Sequence, residues 1–168
     1  MSNIVDYLKW RGDLTFDKDP INEIDNLIFS RISYLPFEKI QFQDKSKFIE
    51  FADQFKTLAN EDFYQIDDLD LIAELAKSAR FKNLIFSDYF EKLDLVEEKQ
   101  FAAITVILPD NEIYISYRGT DASIIGWKED FNMSFMTNVP SQLEGVNYLE
   151  KIAKKYPRKK IRIGGHSK

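Results

Sequence analysis

The last eight residues of this 168-residue chain constrain its fold most, because they join a strand pattern to a glycine-rich turn and a serine. Ile161 and Ile163 alternate with Arg162, and the chain continues as Gly164-Gly165-His166-Ser167-Lys168. A strand followed by Gly-x-Ser is typical of a nucleophile elbow, whose sharp turn exposes the serine hydroxyl. The complete pattern has a second glycine two residues after the serine. We therefore expect a chain that is cut within its motif, as a truncation or a fragment.

Composition narrows the class of protein. With 44% hydrophobic residues, the chain is able to bury a core as one domain, or as a domain with an appended segment. The longest apolar run covers residues 102–108, well short of the roughly 18 residues of a membrane span. The N-terminus does not have the pattern of a signal peptide. Cysteine is absent, which excludes disulfides and thiolate catalysis and favours a cytoplasmic location.

The net charge of −5 is unevenly distributed. Residues 1–98 carry 21 acidic and 12 basic side chains, whereas residues 99–168 carry 7 acidic and 11 basic ones. The acidic balance argues against nucleic acid as a partner. The basic residues of the second part cluster between positions 151 and 162. We interpret this cluster as a helix C-terminus and a solvated loop, and the alternative is contact with an anionic surface.

The first part of the chain has a helical pattern. Apolar residues at helical spacing predict helices over residues 3–10, 20–35, 46–58, 69–76 and 83–93. Asp19-Pro20 has the pattern of an N-cap followed by proline in the first turn, and it is predicted to start the second helix. Phe48, Phe51 and Phe55 share one face of the third helix. Such a stripe favours a protein core, and an acyl-chain groove is the alternative.

Near Lys99 the hydrophobic period changes to that of strands. Residues 100–108 and 112–117 alternate around a turn at 109–111, which predicts an antiparallel hairpin. Two further helices, with Ser123 and Ser141 as predicted caps, lead to a strand at 160–163. A helical crossover between two strands predicts that residues 113–117 pair in parallel with 161–163.

Several motifs together carry a resemblance to a known family. Arg118-Gly119-Thr120-Asp121 is followed by Trp127 and Asp130-Phe131, and then by the Gly-His-Ser-Lys elbow. This combination resembles the class-three (fungal-type) lipases of the α/β-hydrolase superfamily, and the segment 6–13 resembles a bacterial branch of uncharacterised lipase-like proteins. The resemblance implies an α/β fold, with a helical N-terminal region (1–98) followed by an incomplete α/β-hydrolase core (99–168). Such proteins continue beyond the elbow and carry a catalytic acid and histidine there.

The resemblance also assigns roles to individual residues. Ser167 would be the nucleophile, Thr120 would lie at the oxyanion hole, and the backbone N–H of Lys168 would be the second oxyanion donor. Arg118 and Asp130 are expected to be structural and to form an ion pair beside the oxyanion loop. The placement agrees with the rule that open α/β sheets hold their sites at the C-terminal ends of parallel strands.

The chain lacks a partner that could activate the serine. His166 is its only histidine, and a side chain adjacent to the serine across a tight turn does not reach back to its hydroxyl. We therefore interpret the chain as the N-terminal part of a lipase-like serine hydrolase, which would cleave carboxylic esters through an acyl-enzyme. These residues alone are expected to be inactive. The alternative is a non-catalytic interaction module with a hydrolase-derived fold.

No metal or cofactor is predicted. Asp13, Asp17 and Asp19 have the spacing of a calcium loop, but Lys18 stands where that loop requires glycine. The expected partner is a small-molecule or lipid ester, without nucleic acid or a transmembrane segment. The strand at 161–163 is expected to leave one edge unpaired, which favours self-association or retention of a cleaved C-terminal part.

Overall fold

The computed structural model describes residues 3–94, 99–119 and 140–166. The helices of this part of the chain are α1 (Ile4–Arg11), α2 (Glu23–Ile32), α3 (Phe48–Phe51), α4 (Asp68–Lys77) and α5 (Pro140–Lys155). Short 3₁₀ segments lie at Phe37–Lys39, Ala52–Thr57 and Asn60–Asp62. The strands are β1 (Ser46–Lys47), β2 (Ile85–Asp94), β3 (Lys99–Ile107), β4 (Glu112–Arg118) and β5 (Lys160–His166).

The described strands form one mixed sheet in the order β1-β2-β3-β4-β5. The pairs β1/β2, β2/β3 and β3/β4 are antiparallel, whereas the pair β4/β5 is parallel. Ile113 pairs with Ile161 and Ile115 with Ile163, so the predicted hairpin and the predicted parallel pair are both confirmed. The protein is therefore of the broad α/β class that the sequence predicted.

The prediction of a helix over residues 83–93 was wrong, because this segment forms β2. Its residues pair with β1 on one side and with β3 on the other. The aromatic and apolar residues of the segment fit helical and strand spacing alike, and pairing with two neighbours decides in favour of the strand. The N-terminal region therefore contributes two strands to the sheet as well as helices.

The second helix begins later than the sequence predicted. Asn22, and not Asp19, is its N-cap: the Asn22 side chain accepts hydrogen bonds from the backbone N–H groups of Ile24 and Asp25. The Asp25 carboxylate accepts in turn from the Asn22 N–H, which completes a capping box. Asp19 instead forms an ion pair with Arg11, with 2.9 Å between Asp19 Oδ2 and Arg11 Nη2.

Hydrophobic clusters cover both faces of the sheet. On one face of the sheet, residues of α1, α2 and α4 form a large cluster with residues of the strands. The phenylalanine stripe belongs to this cluster, and Phe48, Phe51 and Phe55 are buried, as predicted for a protein core. On the opposite face, α5 packs through Tyr148 and Ile152. Leu143 and Val146 of the same helix are apolar but exposed.

The larger cluster draws residues from both sides of the predicted boundary at 98/99. Ile28 and Leu75 belong to it together with Val106 and Tyr114 of the sheet. The division into regions 1–98 and 99–168 stays a prediction, and residues 95–98 lie outside the described part of the chain.

A buried ion pair joins the elements that precede the sheet. The side chains of Arg80 and Asp25 are both inaccessible to solvent, and the Arg80 guanidinium makes a two-point contact with the Asp25 carboxylate, including an Nε–Oδ1 bond of 2.8 Å. Arg80 also donates to the carbonyl oxygens of Leu14 at 2.9 Å and Asp19 at 2.8 Å. Its guanidinium lies 3.9 Å from the ring centre of Phe16. Arg80 therefore holds α2 and the preceding loop to the segment after α4.

We predict that Arg80→Met destabilises the protein by about 3–5 kcal/mol, because it leaves the Asp25 carboxylate buried without its cation. The measurement is the free energy of unfolding in urea, compared between the variant and the wild type. Arg11→Met is the matched control: its ion pair with Asp19 is partly exposed, and its loss should cost about 1 kcal/mol or less. Equal costs for the two variants would contradict the role given to Arg80.

Candidate functional site

The C-terminal ends of β4 and β5 lie side by side. The parallel register pairs Tyr117 with Gly165 and Arg118 with His166, so both strands end at the same edge of the sheet. Gly119 follows β4 and is buried, whereas His166 is exposed. Parallel strands place functional groups at this C-terminal edge. We call the region around Gly119 and His166 the strand-exit site.

The predicted site residues themselves fall just beyond these ends. Thr120, Ser167 and Lys168 lie outside the described residues, as does Asp130. Their roles as oxyanion-hole residue, nucleophile, second oxyanion donor and structural acid therefore stay predictions. The structure does bring together Gly119 and His166, which directly precede Thr120 and Ser167 in the sequence.

The hydroxyl group of Tyr34 connects the two strand exits. The backbone N–H of Gly119 donates to Tyr34 Oη across 3.1 Å, and Tyr34 Oη donates to the carbonyl oxygen of His166 across 2.8 Å. The His166 ring nitrogen Nδ1 lies 3.4 Å from the same hydroxyl. Burial raises the pKa of Tyr34 above its usual value, so this phenol stays protonated at neutral pH.

Sequence reasoning missed Tyr34. The residue follows α2 and precedes Pro36, a position with no recognisable motif. Its contacts bridge 85 residues to Gly119 and 132 residues to His166. The double glycine does mark a close approach by other groups, but those groups are Tyr114, Asn26 and Tyr117, so it does not point to Tyr34.

The helix that precedes Tyr34, α2, is fixed to β4 by hydrogen bonds. Ser116 Oγ donates to the carbonyl oxygen of Phe29 across 2.7 Å, and both groups are buried. Tyr114 Oη donates to the side-chain oxygen of Asn26, one turn earlier on the helix. Two successive turns of α2 are thus held to the strand that leads into the strand-exit site.

The glycines of β5 make room for these contacts. A Cβ atom on Gly164 would overlap Tyr114 Oη and lie 2.8 Å from Asn26 Oδ1. A Cβ atom on Gly165 would lie 2.9 Å from the carbonyl oxygen of Tyr117 on the neighbouring strand. The double glycine therefore serves close packing against α2 and β4, in addition to any role in the turn that follows.

Arg118, at the end of β4, forms an ion pair with Glu91 of β2. Burial lowers the pKa of Arg118, but the hydrogen bond to Glu91 and the attraction of the Glu91 and Glu38 carboxylates together outweigh this, and the pKa is raised. Glu91 also accepts from the hydroxyl of Tyr89 across 2.9 Å. The partner of Arg118 in the described residues is thus Glu91, and the predicted ion pair with Asp130 stays a prediction because Asp130 lies outside them.

A cavity of about 220 Å³ opens beside the strand-exit site. Its wall is partly apolar, through Leu27 and the tilted rings of Tyr34 and Tyr64, whose centres lie 4.9 Å apart. Arg31 and Asp67 also line it, and Arg31 forms ion pairs with Asp67 at 3.4 Å and with the buried carboxylate of Asp68 at 2.7 Å. His166, which directly precedes the predicted nucleophile in the sequence, lines the cavity as well. The cavity therefore combines an apolar part with an ion-paired, polar part.

Within residues 3–94, 99–119 and 140–166, no group of three or more His, Asp or Glu side chains is arranged to hold a metal ion. No helix in the same ranges is long and apolar enough to cross a membrane.

Comparison with family models shows to which family the chain belongs. The model of the Mbeg1-like family matches residues 75–168, which include β2 to β5 and the strand-exit site. The chain belongs to the Mbeg1-like family. Comparisons with curated proteins and with solved structures gave no match.

The family match corrects the resemblance stated above. The assignment to the class-three lipases of the α/β-hydrolase superfamily was wrong, because the matching model is that of the Mbeg1-like family and no lipase or α/β-hydrolase model matches. Arg-Gly-Thr and Gly-x-Ser are short patterns. They identify strand ends that carry polar loops, and such ends occur in more than one family.

We predict that Gly164→Ala destabilises the protein by about 1–3 kcal/mol, because the added methyl group overlaps Tyr114 Oη. The measurement is the free energy of unfolding. Gly145→Ala is the control: it lies within α5, and its Cβ would be 3.7 Å from the Phe101 ring, an ordinary contact. That variant should be neutral or more stable by up to about 1 kcal/mol.

A double-mutant cycle tests the cause. In a Tyr114→Phe background the overlapping hydroxyl is gone, and Gly164→Ala should cost less than in the wild type. An undiminished cost in that background would show that the strain arises elsewhere.

Proposed function

We propose that this chain supplies the nucleophile and the oxyanion loop of a serine hydrolase that cleaves carboxylic esters. Ser167 is the nucleophile, Thr120 lies at the oxyanion hole, and the backbone N–H of Lys168 is the second donor. The observation that carries the proposal is the hydrogen-bonded pair of strand exits, Gly119 and His166, joined through Tyr34. This arrangement supports a nucleophile and an oxyanion loop that face one another.

The reaction would proceed through an acyl-enzyme. Ser167 Oγ attacks the acyl carbon while its proton passes to a general base, and the backbone donors bind the oxygen that becomes negative. The bond between the acyl carbon and the ester oxygen then breaks, and the alcohol leaves with the proton. Water attacks the acyl-enzyme in the same way and releases the carboxylic acid.

His166 is not the general base in this proposal. It directly precedes the serine, and its Nδ1 lies 3.4 Å from the Tyr34 hydroxyl. Because the chain has one histidine, the base is expected to come from a residue outside positions 1–168, and these residues alone should be inactive. The proposal also includes a finer fold prediction, that the sheet is the first part of a hydrolase-type sheet. It does not include the lipase family assignment corrected above.

The test uses the intact protein that carries this chain. We predict that Ser167→Ala lowers kcat for p-nitrophenyl acetate by about 10³-fold or more and abolishes labelling by a fluorophosphonate probe, because the nucleophile is removed. Ser46→Ala is the control, since Ser46 lies in β1, at the opposite end of the strand order. Residues 1–168 alone should label far more slowly than the intact protein.

Two outcomes would contradict the proposal. Equal hydrolysis by the wild type and by Ser167→Ala would favour the alternative, a non-catalytic interaction module. Labelling of residues 1–168 as fast as of the intact protein would show that no further base is required.

The cavity predicts a limit on the size of the acyl group. A dry cavity of roughly 150 Å³ holds benzene, so about 220 Å³ should accept an acyl group of roughly eight or nine non-hydrogen atoms. We predict that Leu27→Trp, which narrows this cavity, lowers kcat/KM for a hexanoyl ester about tenfold and for an acetyl ester less than twofold.

The matched control is Leu143→Trp. Leu27 and Leu143 are each 51% exposed, but Leu143 lies on α5, on the other face of the sheet. This variant should leave both esters unaffected. A loss that is equal for the two esters in Leu27→Trp would rule out the cavity as the acyl site.

A further inference from the structure

We infer that Tyr34 is a positioning residue of the strand-exit site, whose hydroxyl group sets the separation between the chain leaving β4 and the chain leaving β5. Nothing in the sequence motifs assigns this residue a role. Its catalytic consequence rests on the proposed function, whereas the structural link rests on the hydrogen bonds alone.

The chemistry of the contact requires a hydroxyl group. The Gly119 N–H needs an acceptor and the His166 carbonyl needs a donor, and one phenol oxygen serves as both. Gly119 is buried, so its N–H depends on a protein partner more than an exposed group does. Phenylalanine at position 34 would fill the same space and serve neither group.

The ring of Tyr34 is held in place from several sides. It is 7% exposed and packs against the tilted ring of Tyr64, and the His166 ring approaches it edge-on at 6.1 Å between centres. The backbone N–H of Tyr34 donates to the carbonyl oxygen of Arg31 across 3.1 Å, which continues the last turn of α2. A phenol fixed in this way holds its two partners in a defined geometry.

The position of this hydroxyl is set by β4 itself. Ser116 fixes α2 to β4 through Phe29, and α2 carries Tyr34 back to the end of the same strand. The exit of β5 is then placed by the bond from Tyr34 to His166. For a nucleophile and an oxyanion donor, a shift of about 1 Å costs on the order of 100-fold in rate, so a rigid link between Gly119 and His166 should affect turnover.

The experiment compares Tyr34→Phe with Tyr156→Phe in the intact protein. Each change removes one phenol hydroxyl, but Tyr156 belongs to the cluster on the other face of the sheet, where its hydroxyl contacts Ser87. We expect Tyr34→Phe to speed amide hydrogen exchange at Gly119 about tenfold, and to lower kcat for p-nitrophenyl acetate about tenfold with KM changed less than twofold. Tyr156→Phe should leave the exchange rate at Gly119 and kcat at the wild-type level.

The two readouts separate the possible failures. Unchanged exchange at Gly119 in Tyr34→Phe overturns the inference, whatever the activity. Faster exchange with an unchanged kcat overturns the positioning role. Turnover that survives Ser167→Ala rejects the proposed function, and the exchange rate at Gly119 still reports on the bridge.

Exchange at Ile163, within the β5 ladder, shows whether the whole protein has unfolded. If Tyr34→Phe raises exchange there as well, 4-aminophenylalanine is placed at position 34 instead, because it keeps a donor for the His166 carbonyl. Its kcat should then lie below that of the wild type, with Ile163 protected. A wild-type kcat together with wild-type exchange at Gly119 would overturn the inference.

Discussion

The buried contact between Arg80 and Asp25 is the interaction on which the helical layer, formed by α1, α2 and α4, depends. Two opposite charges with no solvent access are tolerated only when their hydrogen bonds are satisfied. Asp25 accepts from Arg80, from the Tyr7 hydroxyl and from the backbone of Asn22, so α1 and the start of α2 meet at one carboxylate. The contact gives α2 a fixed start, and the bonds from Ser116 and Tyr114 fix its middle.

A continuous set of contacts therefore leads from the buried ion pair to the strand-exit site. At the end of α2, Tyr34 joins the exits of β4 and β5. The helical layer is packed into the same core as the sheet, where Phe29 contacts the Tyr114 ring at 4.7 Å between centres. A change in α2 should thus alter the relative position of Gly119 and His166, even though α2 carries none of the predicted catalytic groups.

The sequence predicted the parts of the fold that depend on local pattern. Alternation gave the β3–β4 hairpin, and a helix between strands gave the parallel pair of Ile113 with Ile161. The segment at β2 was mispredicted because aromatic residues at mixed spacing fit helix and strand, and only pairing with β1 and β3 decides. Tyr34 and Arg80 were not found for a related reason: their roles lie in contacts between distant segments, which single-sequence periodicity does not encode.

Glycine and tyrosine have complementary roles in this sheet. The absence of side chains at Gly164 and Gly165 lets β5 lie close to Tyr114 and to the backbone of Tyr117. A strand without side chains loses the packing that would otherwise hold its end, and glycine adds conformational freedom. The Tyr34 hydroxyl compensates for this at the next residue, because it binds the His166 carbonyl directly. The end of β5 is thus held by a hydrogen bond to its backbone rather than by side-chain packing.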